Sequence, residues 1–300
     1  MSTPLQSLAL TLVCSLSTAC ATTVAIRSTQ PGPVPVGAAK RLVLLDGEGR
    51  RSAREFIGEE LVRQSRARGY FTVEDKSEDG LSVKVAGRQA TIEGGTFTLG
   101  PDQAGLRIDV MEWKAERDEQ EVTRVDVSGK SHCERIPVLR GDALLAVTLV
   151  NPAGRAVLAE TEYEGTANVD PATPRDDCIE AAARNAIASL LNDITPLQVV
   201  IRVRLDDEDA GQENILKTVE AGAIAQAAQD LEAYFHQNPN IASAAYNLAV
   251  LKEAMGDSQA ALELYDKALS LGGKDFYSQA RAGCARRLSD AEALSTGAPH

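Results

Sequence analysis

A chain of 300 residues with 44% hydrophobic content can bury one large core or two modest ones. Its formal net charge is -12, and -8 of that lies from Asp206 onward, where 7 basic residues stand against 15 acidic ones. Neither half is basic, which excludes a phosphate-backbone binder and leaves no cationic face to hold anionic lipid; no nucleic-acid partner is expected.

Residues 1–19 contain no Lys, Arg, Asp or Glu. Their apolar core, LALTLVCSL, falls short of the roughly 20 residues that span a bilayer. Small Thr18 and Ala19 lead directly into Cys20. Small residues followed by Cys resemble a bacterial lipoprotein signal, although no Lys or Arg precedes the core and Ser17 stands where Leu is usual. The resemblance implies cleavage before Cys20 and a thiol that carries diacylglycerol, with palmitate-type acyl chains holding the protein on a membrane. A plainly cleaved secretory signal and a buried N-terminal helix are the alternatives for the same residues.

Residues 21–40 are rich in Pro, Gly and Thr and suit a tether with one short strand, VAIRS. RLVLLD (41–46) has the run of a buried strand. DGEGRR follows, and Ser52 to Glu55 form a capping-box pattern for a helix over 52–68 that stops at Gly69. YFTVED (70–75) is the next strand. Alternation then marks Leu81 to Val85 and Leu106 to Val110, with a hairpin expected between Val110 and the alternating Val125 and Val127. ALLAVTLV (143–150) is apolar on both faces, NPAG (151–154) is a turn, and the returning strand carries Glu160, Glu162 and Glu164 on one solvated face. A helix over 176–194 shows the stripe Ile179, Ala183, Ile187, Leu190 and Ile194 and ends at Thr195-Pro196. LQVVIRVRL (197–205) reads as the last strand of this half.

Cys133 and Cys178 are expected to pair if the chain is exported, closing a loop of about 45 residues worth roughly 4 kcal/mol. Two free thiols fit the same spacing. Cys284, among Ala and Gly, reads as a small core residue. DDED (206–209) loosely echoes a calcium loop, but Ala210 and Lys217 occupy two ligand positions. No metal and no cofactor is expected.

The last third repeats. GAIAQAAQDLEAYFHQNP (222–239) aligns with GDSQAALELYDKALSLGG (256–273) at an offset of 34, matching Gly222 with Gly256, Ala227 with Ala261 and Leu231 with Tyr265. With Tyr246 to Ala249 on its first helix, the second unit resembles a tetratricopeptide repeat. Residues 208–241 form a degenerate first unit, and 275–294 the first helix of a third. The resemblance implies a groove that takes a protein partner, with Tyr246, Asn247, Val250 and Glu253 on its concave side. An unrelated Ala-rich helical bundle is the alternative.

From RLVLLD to the Ala-rich helix, the element order and the strand–NPAG–strand pattern resemble the α/β domain of curli-assembly-type lipoproteins, TolB N-terminal domains and penicillin-binding-protein activator lipoproteins. That resemblance implies a Gram-negative envelope lipoprotein, on the outer membrane and facing the periplasm, that assembles with or activates other proteins. The expected fold class is α+β: a mixed-sheet sandwich followed by an all-α repeat domain. The expected organisation is a signal peptide over 1–19, a tether over 20–40, an envelope domain over 41–205 and helical repeats over 206–296. The expected role is non-enzymatic, a partner-binding scaffold. The alternatives are a subunit of an envelope assembly or secretion complex acting through the first domain, and an enzyme that holds a phosphate ligand at the 46–52 loop.

Overall fold

The structure, a computed structural model, describes residues 22–34, 36–94, 98–151 and 156–296. The candidate signal, Cys20 and most of the NPAG turn lie outside these residues. The fold is α+β, a mixed-sheet region followed by a helical one. The described residues divide into two compact units, one of residues 28–199 and 286–296 and the other of residues 22–27 and 200–285.

In the first unit, β2 (Arg41–Leu45) is flanked in parallel by β3 (Thr72–Asp75) and β6 (Gln103–Val125). β6 continues antiparallel to β7 (Ser131–Val150), and β7 to β8 (Val157–Val169). The order is therefore β3-β2-β6-β7-β8. Leu42 to Leu45 are all buried, as the apolar run predicts for a strand covered on both faces. One face meets α1 (Arg51–Arg68) and α2 (Arg175–Ile194), where Leu42, Leu106, Leu145 and Leu149 pack with Ile57, Leu61, Ile187 and Leu190. The other face packs Val43, Leu45 and Val150 against the hairpin of β4 (Ser82–Ala86) and β5 (Gln89–Glu93).

α2 approaches the sheet closely because small residues line the contact. A Cβ on Gly141 of β7 would lie 2.5 Å from the Cys178 carbonyl oxygen, and one on Gly165 of β8 would lie 2.0 Å from that of Ala182. Ala182, Ala183 and Ala186 are fully buried on the helix side. Gly69 closes α1 in the left-handed conformation, at φ 71°. The capping box does not form: Arg50 is the N-cap without a side-chain bond, and Glu55 instead accepts from Arg51 at 2.7 Å.

The sequence places a turn between Val110 and Val125; the structure does not. β6 runs unbroken for 23 residues, with only a bulge between Val110 and Glu112. WKAERDEQEVTR contains neither Gly nor Pro, so nothing interrupts pairing until DVSGK. There Asp126 accepts from the backbone N–H of Ser128 (2.7 Å) and of Lys130 (3.0 Å), and Gly129 takes φ 82°. The strand of 197–205 also lies elsewhere. β9 (Leu197–Arg204) joins β1 (Thr23–Gln30) in a separate two-stranded ribbon rather than the main sheet. β1 is longer than the short strand expected in the tether, and Val36 and Ala39 beyond it are buried in the core.

The helical unit contains α3 (Glu213–Glu220), α4 (Ile224–Gln237), α5 (Ala242–Ala254), α6 (Ser258–Gly272) and the first half of α7 (Asp275–Thr296). The turns after α3 and α5 each hold a left-handed glycine, Gly222 at φ 82° and Gly256 at φ 91°. The aligned pairs Ala227 with Ala261 and Leu231 with Tyr265 are all 0% exposed. Val24, Ile26 and Leu205 from the ribbon join this core.

Candidate functional site: a helix closed on its own chain

α5 is buried around nearly its whole circumference, which is the mark of a central helix. Residues Ser243 to Leu251 and Glu253 are all buried. The partner-binding assignments of Tyr246 (1% exposed), Asn247 (0%), Val250 (0%) and Glu253 (4%) are therefore corrected: none presents a surface to a second protein. The face read as a concave groove is filled by the chain itself, at the end of β9.

Asn247 grips one residue of that segment from both sides. Its Oδ1 accepts from the Asp206 backbone N–H at 2.7 Å, and its Nδ2 donates to the Asp206 carbonyl at 2.7 Å. Nδ2 also donates to Gln212 Oε1 at 2.8 Å, and Gln212 in turn donates to Ser243 Oγ at 2.8 Å. Two residues earlier, the Arg204 carbonyl accepts from the Tyr246 hydroxyl at 2.7 Å. The Tyr246 ring stacks on Tyr277, with centroids 4.1 Å apart and planes 9° apart, and Phe276 packs edge-on at 5.2 Å.

The Asp206 carboxylate is the electrostatic centre of this cluster, 1% exposed. Lys274 Nζ lies 2.7 Å from it and 2.7 Å from Glu208, the Tyr277 hydroxyl donates to it, and the Glu208 backbone N–H donates at 3.1 Å. Burial alone would raise its pKa; the bonds from Lys274 and Tyr277 outweigh that and hold it below the ordinary carboxylate value. Burial pushes the phenols of Tyr246, Tyr265 and Tyr277 up, so all three remain protonated donors. Asp209 extends the cluster, accepting from Gln212 at 2.8 Å and from Tyr234 at 2.9 Å. The DDED segment thus supplies carboxylates to Lys, Tyr and Gln. These groups satisfy one another, and the arrangement holds backbone in place. Gln212, Lys274 and Tyr277 carry no motif. The one signal for them was Asp206, an acidic residue ending an alternating strand.

The 46–52 loop, the candidate phosphate site, borders a cleft lined by Asp46, Arg51, Arg54, Glu55, Glu59 and Asp75, among others. The two guanidiniums lining the cleft are engaged. Arg54 pairs with Asp46 and donates to the Gly47 carbonyl at 3.0 Å, while Arg51 pairs with Glu55 at 2.7 Å. Glu78 completes a set of five carboxylates against two guanidiniums, a field that repels phosphate.

The expected Cys133–Cys178 bridge is absent. Cys178 is buried on α2, where its thiol lies 3.3 Å from the Leu139 carbonyl oxygen. Cys133 is exposed six residues further along β7, about 20 Å away at strand rise. The pairing failed because β7 is one continuous strand, which the spacing could not reveal. Cys284 is buried in the helical core, as expected.

No helix among the described residues is long and apolar enough to cross a membrane. No family model matches the chain, and no curated protein does. Several solved structures share a slight likeness. A PelC dodecamer from Paraburkholderia phytofirmans is 13% identical over 57% of this chain and 96% of its own, with a TM-score of 0.29. Protein XCC0632 from Xanthomonas campestris, of family DUF330, is 14% identical over 54% and 86%, with a TM-score of 0.28. A putative neuraminyllactose-binding hemagglutinin homolog from Helicobacter pylori is 11% identical over 63% and 92%, with a TM-score of 0.25. At these TM-scores the likeness carries no conclusion about what this chain does.

Proposed function

We propose that the chain is a non-enzymatic lipoprotein of the Gram-negative envelope, anchored through Cys20, whose tetratricopeptide-like helices scaffold a protein partner. The observation that carries this reading is the 34-residue recurrence, which coincides with equivalent places in two helical hairpins: a left-handed glycine at each turn and matched buried pairs behind it. Stacked helical pairs of this kind offer surface for docking and little for chemistry. Because Tyr246, Asn247, Val250 and Glu253 serve the chain's own segment, the docking surface is the outward side of α6. Glu263 and Asp266 lie exposed there, and the acidic balance of this half favours a partner with a basic face.

Two measurements test the two halves of the reading. The N-terminal peptide from the membrane fraction is expected to begin at an acylated Cys20, and an unprocessed Met1 in soluble protein would overturn the anchor. A photo-crosslinking residue at Glu263 is expected to capture one protein partner in cells, lost on Asp266→Lys; no adduct from any exposed α6 position would overturn the scaffold. A second reading, a subunit of an envelope assembly complex acting through the sheet unit, is favoured by the long β6–β7 arm. The phosphate-enzyme reading predicts thermal stabilisation by a nucleotide or sugar phosphate that substitution of Arg50 or Arg51 abolishes. The carboxylates of the cleft weigh against it.

A further inference from the structure

The β6–β7 ribbon outruns its sheet. β2 pairs with β6 only over Gln103–Arg107, and β8 pairs with β7 only from Leu139 onward. From Arg117 to Val125 and from Ser131 to Val138, β6 and β7 pair only with each other among the described strands. The arm is about 30 Å long at strand rise. A two-stranded ribbon exposed to water on both faces is marginally stable, and each outer edge offers unpaired N–H and C=O groups to another strand. Lipid is the wrong environment for it: Arg117, Asp118, Glu119, Glu121 and Arg124 put charge on both faces of β6.

A second copy of this chain is an occupant whose charges are complementary on one edge of the arm and not on the other. Two identical strands pair antiparallel about a two-fold axis, so residues equidistant from the centre face each other. On the β6 edge, a centre at 118, 119 or 121 sets a carboxylate against its own copy, a centre at 120 sets Glu119 against Glu121, and a centre at Val122 or Thr123 brings no opposite charges together. On the β7 edge, a centre at Glu134 or Arg135 also opposes like charges. A centre at Cys133 does not. It sets His132 of each copy opposite Glu134 of the other, places Ser131 opposite Arg135, and stops before Pro137, which has no N–H to give. Within one arm Glu134 is already 3.2 Å from Arg124, so the second copy's His132 would extend an existing ion pair.

We propose that the outer edge of β7, over residues 130–136, is a self-association surface on which two copies pair antiparallel about Cys133. In that register the two Cys133 side chains are directly opposite. Their Cβ atoms would be about 5 Å apart, close to the roughly 4 Å of a disulfide. The thiol therefore reports the register; the pairing itself is through backbone bonds and the His132–Glu134 contacts.

The test uses the full chain with Cys14 and Cys20 replaced by Ser. Sedimentation of the further variant Cys133→Ser is expected to show a concentration-dependent dimer, weakened by Glu134→Arg. Single exposed thiols are then compared at positions 128, 132 and 133 (Ser128→Cys and His132→Cys, each with Cys133→Ser, against native Cys133). Diamide oxidises them, taking up the two electrons and two protons that a pair of thiols releases as the S–S bond forms. Cross-linking is expected to peak at 133, about tenfold faster than at 128, because pairing holds only that thiol against its counterpart. A chain that sediments as a monomer up to its solubility limit overturns the proposal. So does cross-linking that is as fast at 128 as at 133, and a peak at 132 overturns the register.

Discussion

Asp206 shows how much one residue can depend on its surroundings. Its carboxylate sits among Lys274, Tyr277 and the Glu208 N–H, and its backbone is held by Asn247. Asp206→Ala leaves the Tyr277 hydroxyl and the Glu208 N–H without their acceptor and Lys274 with Glu208 alone, and is expected to cost about 3 kcal/mol in urea unfolding, since breaking a buried pair from one side costs that order. The folded pKa lies below the unfolded value of about 3.9, so the charged form contributes stability above that pH, and the contribution is lost as pH falls through the folded pKa. Asp206→Asn should therefore flatten the acid limb of the stability profile below about pH 4; an unchanged limb would show that other carboxylates set it. Among Cys133, Cys178 and Cys284, a water-soluble maleimide should label Cys133 alone in the folded protein, because the other two are buried. Peptide mapping reads this directly. At this scale the sequence misled where it mattered. Tyr246 and Asn247 are the residues of a groove by type and spacing, but whether a groove is open depends on what else the chain puts there.

The elements were the most legible level. α1 and α2 begin and end within a residue of the expected limits, because apolar spacing, Gly69 and Thr195-Pro196 act locally. The two repeat turns can be tested by Gly222→Ala and Gly256→Ala. Neither added Cβ would meet a neighbour within 4 Å, so the cost is the left-handed backbone alone, about 1 kcal/mol each by thermal or urea unfolding. Gly165→Ala is a different case. Its Cβ would sit 2.0 Å from the Ala182 carbonyl oxygen and force α2 off the sheet, so a loss of about 3 kcal/mol or more is expected. A loss no larger than that of Gly256→Ala would mean that α2 shifts freely. The β6–β7 hairpin was misplaced because alternating valines give a strand's period without its end. Only the Asp126–Gly129 turn supplies the end.

At the scale of the whole molecule, stability is unevenly distributed. Residues 143–150 of β7 lie between two partners, with Ala143, Leu145, Val147, Leu149 and Val150 buried and Leu144, Ala146 and Thr148 half-buried, and α5 is enclosed, whereas residues 117–136 stand in water. In dilute, monomeric protein, hydrogen exchange read by mass spectrometry should be slowest in α5 and in 143–150, and fastest among the strands in 117–136. Protection of 117–136 equal to that of 143–150 would mean that the arm is covered even in the monomer.

The α+β class, the buried β2, the helices α1 and α2, and the 34-residue recurrence with its glycine turns are all legible in the residue order. Each follows from apolar periodicity, or from a backbone conformation that one residue type favours, and both are local properties. Tertiary structure alone decided that 197–204 leaves the main sheet to pair with β1, that Cys133 and Cys178 stand apart, and that Asn247 holds Asp206 instead of a partner. These depend on which strands meet and which surfaces are already covered. Strand pairing and burial join residues far apart in the chain, and a period of two or of 3.6 residues does not specify the neighbour it will face.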